Sequence, residues 1–316
     1  MTPSPAQSRA DKPLVVLKVD VDTHVGMRDG VPRLLQLFRE HQVPATFFLS
    51  LGPDRSGRAV LQLRRPAFVR KMLRTNAPSL YGWRTILSGT VLPARPVALA
   101  FPELVRRIEA EGHETGVHAW DHRSWQDDLD HFKPHRIRLH YARAWDAYVR
   151  LTGHEPAGVA APGWVANPLS LRIQDEFPFR YASDLRQAPA CRLAVAGTLL
   201  RILQIGSTGL CLEELLGIGI TRPESLVHIL SQQLLSAPRL AVLTLHAEVE
   251  GGPFAGILTG VLAGLRHRAR VVTMQYAAHQ LTPALASEPA REWRRITLPG
   301  RAFPVSSASG ADSCER

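Results

Sequence analysis

The chain has 316 residues, 45% of them hydrophobic, and 38 basic against 28 acidic side chains give a net charge of +10. That is enough apolar material for one large core, so a single domain is expected rather than a disordered or fibrous chain. No uncharged run reaches the roughly 20 apolar residues that a membrane span needs, and Cys191, Cys211 and Cys314 are too scattered for a disulfide framework or a cysteine zinc site.

Residues 1–13 are polar and carry prolines, without the apolar centre of a secretory signal, so a flexible start and a cytoplasmic location are expected. Leu14–Val19 (LVVLKV) reads as a strand, and Gly30–His41 repeats apolar residues at helical spacing. Ala45–Leu51 is a second buried strand, Pro102–Glu111 a helix stopped by Gly112, and Glu114–Val117 a third strand. A helix over Arg136–Leu151 follows, then strands near Gly158–Ala161, at Tyr181 and at Ile202–Gly206. The helix from Pro223 to Ser236, the strand Leu240–Leu245, another helix and the strand Arg270–Thr273 close the series. Such alternation implies an α/β domain over residues 14–283 with a parallel sheet, open or closed into a barrel. Beyond Pro283 the chain is rich in Ala, Ser, Pro and Arg, which predicts a disordered tail over 284–316.

Between Arg55 and Arg74 the run RSGRAVLQLRRPAFVRKMLR holds Arg64, Arg65, Arg70, Lys71 and Arg74 among apolar residues, with no acid. Two readings stay open. It is either a membrane-surface element, in which each Lys or Arg adds about 1 kcal/mol near anionic lipid, or a solvated helix packed on the core. Nucleic acid is not expected as a partner, because no recognisable binding module accompanies the charge.

LVVLKV runs directly into Asp20 and Asp22, placing two carboxylates where a strand ends, the edge at which α/β proteins build their sites. Alternation puts both on one side, and like charges that close repel unless a cation or a proton compensates. A surface turn with two solvated carboxylates is the competing reading. His118 and His122, in GVHAWDH, have the spacing that brings two imidazoles to one helical face and so to one metal ion. With Asp22 they form a two-histidine, one-carboxylate set that leaves positions open for water and substrate, which also suits the Fe(II) of an oxygenase. His246 opens HAEVEG after an apolar strand. Asp184, in YASDLR, is expected to orient that imidazole and raise its pKa, and Arg186 to pair with Asp20.

The order of these motifs, from Leu14 to Leu281, resembles the polysaccharide deacetylase (NodB homology) family, whose members remove acyl groups from amino sugars. The resemblance implies a distorted (β/α) barrel, one divalent cation (Zn, Mn or Co) on Asp22, His118 and His122, Asp20 as the base and His246 as the acid. The longer blocks DVDTHVGMRDGVPRLL, SLYGWRTILSGT, GVHAWDHRSWQ, YASDLR and LHAEVEG are similar to deformylases of the aminoarabinose branch of this family. That likeness implies a formamido sugar on undecaprenyl phosphate as the substrate, in lipid A modification, with peripheral contact to an anionic membrane at the inner face of the bacterial inner membrane. Trp120, Trp125 and Trp164 are expected as apolar walls, or as core, and Glu248 and Glu250 as further substrate contacts. The family's third motif carries an arginine that AAPGW (Ala160–Trp164) lacks, and Arg186 is the expected replacement. Gln187–Ile220 matches least well, so Glu213 and Glu214 are either pocket residues or solvent-facing ones. The rivals are a deacetylase for another acylated sugar and a non-catalytic lipid-sugar-binding protein.

Overall fold

The computed structural model describes residues 12–58, 93–301 and 303–309. In chain order its strands are β1 (Leu14–Val21), β2 (Thr46–Ser50), β3 (Glu114–Ala119), β4 (Gly158–Val159), β5 (Tyr181–Ala182), β6 (Leu193–Val195), β7 (Thr198–Leu199), β8 (Leu203–Gln204), β9 (Leu240–His246), β10 (Arg270–Val272), β11 (Arg291–Ile296) and β12 (Val305–Ala308). The α-helices are α1 (Val31–His41), α2 (Pro102–Ala110), α3 (His122–Asp128), α4 (Pro134–Thr152), α5 (Pro168–Gln174), α6 (Leu212–Gly217), α7 (Pro223–Leu235), α8 (Ala255–Leu265) and α9 (Met274–Ala286).

β1 is buried on both faces after its first residue, which is why it reads as a continuous apolar run rather than an alternating one. Residues Leu14 to Asp20 pair in parallel with β9. The opposite edge is shared, with β10 beside Leu14–Val16 and β2 beside Lys18–Val21. Parallel pairing continues through β3, β4, β5 and β8. Past β8 the chain reaches β9 again: Thr208 N–H donates to the Val242 carbonyl at 3.2 Å, and Val242 N–H to Thr208 Oγ1 at 3.0 Å. The ends of the sheet therefore meet, and the α/β domain is a distorted (β/α) barrel with helices outside. Because its strands are parallel, the C-terminal ends of β1, β2, β3, β4, β5 and β9 lie at one mouth.

Two expectations need correction. Residues 284–301 and 303–309 do not fray: α9 runs to Ala286, and β11 and β12 join β6 and β7 in a second sheet ordered β12-β11-β6-β7. The composition of β11 (REWRRI) hides this, since only part of each side chain is covered and its parallel partner, β6, comes from residues 193–195. β12 is wholly buried by hydroxyl pairing, with Ser306 Oγ donating to the Ala166 carbonyl at 3.0 Å and accepting from Ala166 N–H at 3.1 Å. Second, His118 and His122 do not share a helical face. His118 lies on β3 and His122 opens α3, so a strand end and a helix start bring the rings together.

Candidate metal centre and catalytic residues

Asp22 follows the last residue of β1, and its two oxygens divide between two imidazoles. Oδ1 lies 3.1 Å from His118 Nε2, and Oδ2 lies 3.3 Å from His122 Nε2. His118 Nδ1 is 2.9 Å from the Ala160 carbonyl, a bond that requires the proton on Nδ1 and leaves the Nε2 lone pair facing Asp22. His122 is placed by Asp121, which caps α3 by accepting from Ser124 N–H at 3.0 Å and is held in turn by Arg55 at 2.6 Å.

One ligand atom from each of Asp22, His118 and His122 lies within 4.8 Å of the others, the one such group among the described residues. His118 Nε2 and Asp22 Oδ1 are buried without a hydrogen bond. Buried polar atoms normally have partners, and two nitrogen lone pairs with a carboxylate make a donor set for a divalent cation. The residues present therefore fit one. Burial opposes charge on Asp22, but His122, His118 and His246 outweigh it and hold the carboxyl far below its usual range. Burial likewise lowers the pKa of His122 to about 4, so its ring is neutral and able to coordinate.

Asp20 is buried beside this trio, and its partner differs from the sequence expectation. Lys18 Nζ lies 2.5 Å from Asp20 Oδ2, two residues back on the same face of β1. Arg186 does not reach Asp20; it pairs with Glu214, with Nε donating to Oε1 at 3.1 Å, and Nη1 donates to the Ser207 carbonyl. Asp184 does not orient His246 either. It accepts from Ala161 N–H at 2.8 Å and Gln204 Nε2 at 3.0 Å, tying the ends of β4 and β8, and burial raises its pKa. The carboxylate beside His246 is Glu213 of α6, with Oε2 3.4 Å from Nδ1. Burial alone would discharge His246, but Glu213, Asp22, Asp20 and Glu250 raise its pKa to about 9.

Sequence reasoning missed Lys18, although a lysine inside a fully apolar strand is a visible anomaly. It also left Glu213 undecided. Glu250 Oε2 accepts from His246 N–H at 2.7 Å, and burial pushes its pKa up to about 7. Glu248 is buried with Oε2 unpartnered, and burial raises it well above the carboxylate range. Gly26 makes room for that side chain: a Cβ there would stand 2.5 Å from Glu248 Oε2. Trp164 lines the site, its ring centre 6.3 Å from that of His246 and edge-on to it. Trp125 is core, packed on Tyr141 and His140, while Trp120 is half-buried beside it. Arg64, Arg65, Arg70, Lys71 and Arg74 lie outside the described residues. Among the described residues no helix is long and apolar enough to cross a membrane.

A parallel barrel with this acid and histidine set at its mouth defines a hydrolase class, and residues 7–182 match the family model for polysaccharide deacetylase. The chain belongs to that family of hydrolases, which act on amide bonds. It is 36% identical over 244 residues to the Shewanella sediminis protein called "Probable 4-deoxy-4-formamido-L-arabinose-phosphoundecaprenol deformylase ArnD", covering 75% of this chain and 76% of that one. A protein of Wigglesworthia glossinidia brevipalpis with the same name is 30% identical over 231 residues, covering 72% and 79%. Among solved structures, a "putative polysaccharide deacetylase" from Mycobacterium smegmatis superposes with a TM-score of 0.62 at 21% identity, over 91% of this chain and 94% of its own. Puue allantoinase superposes at 0.58 with 16% identity, over 87% and 91%. These likenesses show a shared fold, and the fold leaves the substrate open.

Proposed function

We propose that this chain hydrolyses the formamide of 4-deoxy-4-formamido-L-arabinose carried on undecaprenyl phosphate, releasing formate and the free amine in the course of lipid A modification. The observation that carries this reading is one mouth holding the Asp22, His118 and His122 trio, with the Lys18–Asp20 pair and the Glu213–His246 pair beside it. The sugar and its lipid carrier come from the names of the two relatives, each matched over more than seven tenths of its length.

Asp22, His118 and His122 would hold one cation of the zinc, manganese or cobalt type, which when bound supplies polarisation of the amide carbonyl and acidification of water. Asp20 accepts a proton from the attacking water as its oxygen bonds to the formyl carbon. Lys18 keeps that carboxylate in place before the transfer. His246, protonated at neutral pH, faces Glu213 through Nδ1, which leaves Nε2 as the donor. Its proton passes to the sugar nitrogen as the C–N bond breaks, so the leaving group departs as an amine. Trp164 beside the imidazole excludes water from that transfer.

A lipid-borne substrate brings the site to a membrane. The described residues that flank the basic segment lie at the same mouth: Asp54 N–H donates to the Arg95 carbonyl at 2.7 Å, and His24 N–H to Asp54 Oδ2 at 2.9 Å. This placement supports peripheral contact with anionic lipid at the inner face of the inner membrane.

The test is incubation of metal-loaded protein with the formamido lipid. The expected product is lighter by the mass of carbon monoxide and accompanied by equimolar formate; Asp20→Asn abolishes both. Turnover of an acetamido analogue at an equal or higher rate would replace deformylation by deacetylation, because one methyl group is worth only about 1–3 kcal/mol of discrimination.

A further inference from the structure

The stretch joining β11 to β12 is built against two walls of the His246 pocket. Leu298 is buried in a cluster with Trp164, Cys211 and Val305. Gly300 has a φ of +79°, and a Cβ there would stand 2.6 Å from the Glu214 carbonyl. The two backbones also meet at Gly217, whose Cβ would stand 2.7 Å from the Gly300 carbonyl. Arg301 then reaches across: Nη1 lies 3.3 Å from Glu214 Oε1, Nη2 donates to the Gly163 carbonyl at 3.4 Å, and the guanidinium carbon sits 4.6 Å from the centre of the Trp164 ring.

From the other direction Arg186 binds the same Glu214 carboxylate and lies 5.0 Å from the same indole, while its backbone N–H donates to the Ser306 carbonyl at 2.8 Å. Glu214 is therefore held by two guanidiniums and by Cys211 N–H at 3.0 Å. Its neighbour on α6 is Glu213, the carboxylate facing His246. A short helix with one residue clamped this firmly has little freedom to swing the next. Trp164, the second wall of His246, is covered by the same two arginines.

We propose that Leu298–Arg301 is a positioning strap for the proton donor. Arg301 and Gly300 hold α6 and Trp164, and through Glu213 they set the orientation of the His246 ring. Arg301 touches no reacting atom and is a positioning residue. The inference rests on His246 as the donor to the departing amine.

The experiment uses metal-loaded, full-length protein and compares Arg301→Ala and Gly300→Ala with Arg301→Lys and with Arg295→Ala, whose ion pair is to Asp130. On the formamido lipid, Arg301→Ala is expected to lower kcat about tenfold with KM unchanged, a part of what general acid catalysis contributes. Arg301→Lys recovers most of that loss, and Arg295→Ala behaves as wild type. On a formanilide, whose leaving amine is weakly basic and needs less proton donation, the loss shrinks. An equal loss on both substrates, or the same loss in Arg295→Ala, would overturn the proposal. A readout independent of turnover separates this from the substrate assignment: the ring-nitrogen chemical shifts of His246. Arg301→Ala should move them toward the values of Glu213→Gln, and shifts identical to wild type would overturn the strap whatever the substrate proves to be.

Discussion

Lys18 and Asp20 show how a single buried charge pair connects fold to chemistry. Lys18 is fully buried in the central strand, where an ammonium is tolerated only beside a carboxylate, and Asp20 is 3% exposed. Removing one partner leaves the other charged and uncompensated, which costs about 3–5 kcal/mol. Lys18→Met is therefore expected to lower the stability of the metal-free protein by roughly that amount, measured by urea unfolding. The double variant Lys18→Met/Asp20→Asn should regain most of the stability without regaining turnover. Stability restored together with activity would remove Asp20 from the role of base. The placement of Asp20, Asp22, His118, His122 and His246 was legible in the sequence, because each lies in or just past the end of a strand that the sequence shows and a parallel barrel gathers such ends; the roles of Asp20 and His246 rested on the family resemblance. Their partners were not legible. Glu213 and Glu214 reach the site through a helix some thirty residues before His246, and no local pattern records that approach.

At the scale of elements, β1, β2, β3, β9 and β10 were legible in advance, with β1, β2 and β9 the plainest because their apolar runs are longest. β4, β5 and β8 have two residues each, too few for a period, and were located only by the small apolar clusters around them. β11 and β12 escaped because β11's other partner, β6, is distant in sequence, and because hydroxyl side chains make up half of the buried β12. That C-terminal sheet leads to α6, whose Glu214 is the most heavily paired carboxylate near the site. Burial would raise its pKa, but Arg186 and Arg301 outweigh burial and hold it below the usual 4.5. A carboxylate with a lowered folded pKa contributes stability above its unfolded value and loses it as the pH falls through the folded one. Glu214→Gln should therefore be clearly destabilised at pH 7, and the gap to wild type should narrow steadily below about pH 4.5. Urea midpoints measured over that range check the sign. A gap that widens in acid would mean that Glu214 is not held ionised by the two arginines.

For the whole molecule, the net charge of +10 bears on the proposed contact with an anionic membrane. Gly52–Asp54 and Arg95–Val97 pair across the base of the segment that carries Arg64, Arg65, Arg70, Lys71 and Arg74, and they do so next to Trp120 and His24 at the mouth. Arg55, the first residue of the basic run, has a structural partner of its own, since it holds Asp121 at the start of α3. On the proposed reading, a phosphodiester-linked sugar entering this mouth would have the barrel axis point at the bilayer, and an anionic surface would favour that orientation. The expected measurement is co-sedimentation with vesicles containing phosphatidylglycerol: binding falls as salt rises, since surface charges are screened within about 10 Å at 0.1 M. Neutralising Arg64, Arg65, Arg70, Lys71 and Arg74 singly should weaken binding by up to about fivefold each, the equivalent of about 1 kcal/mol per charge. Neutralising Arg55 should instead impair metal retention by releasing Asp121. Equal binding to anionic and neutral vesicles would show that the charge serves another purpose and that the lipid chain alone delivers the substrate.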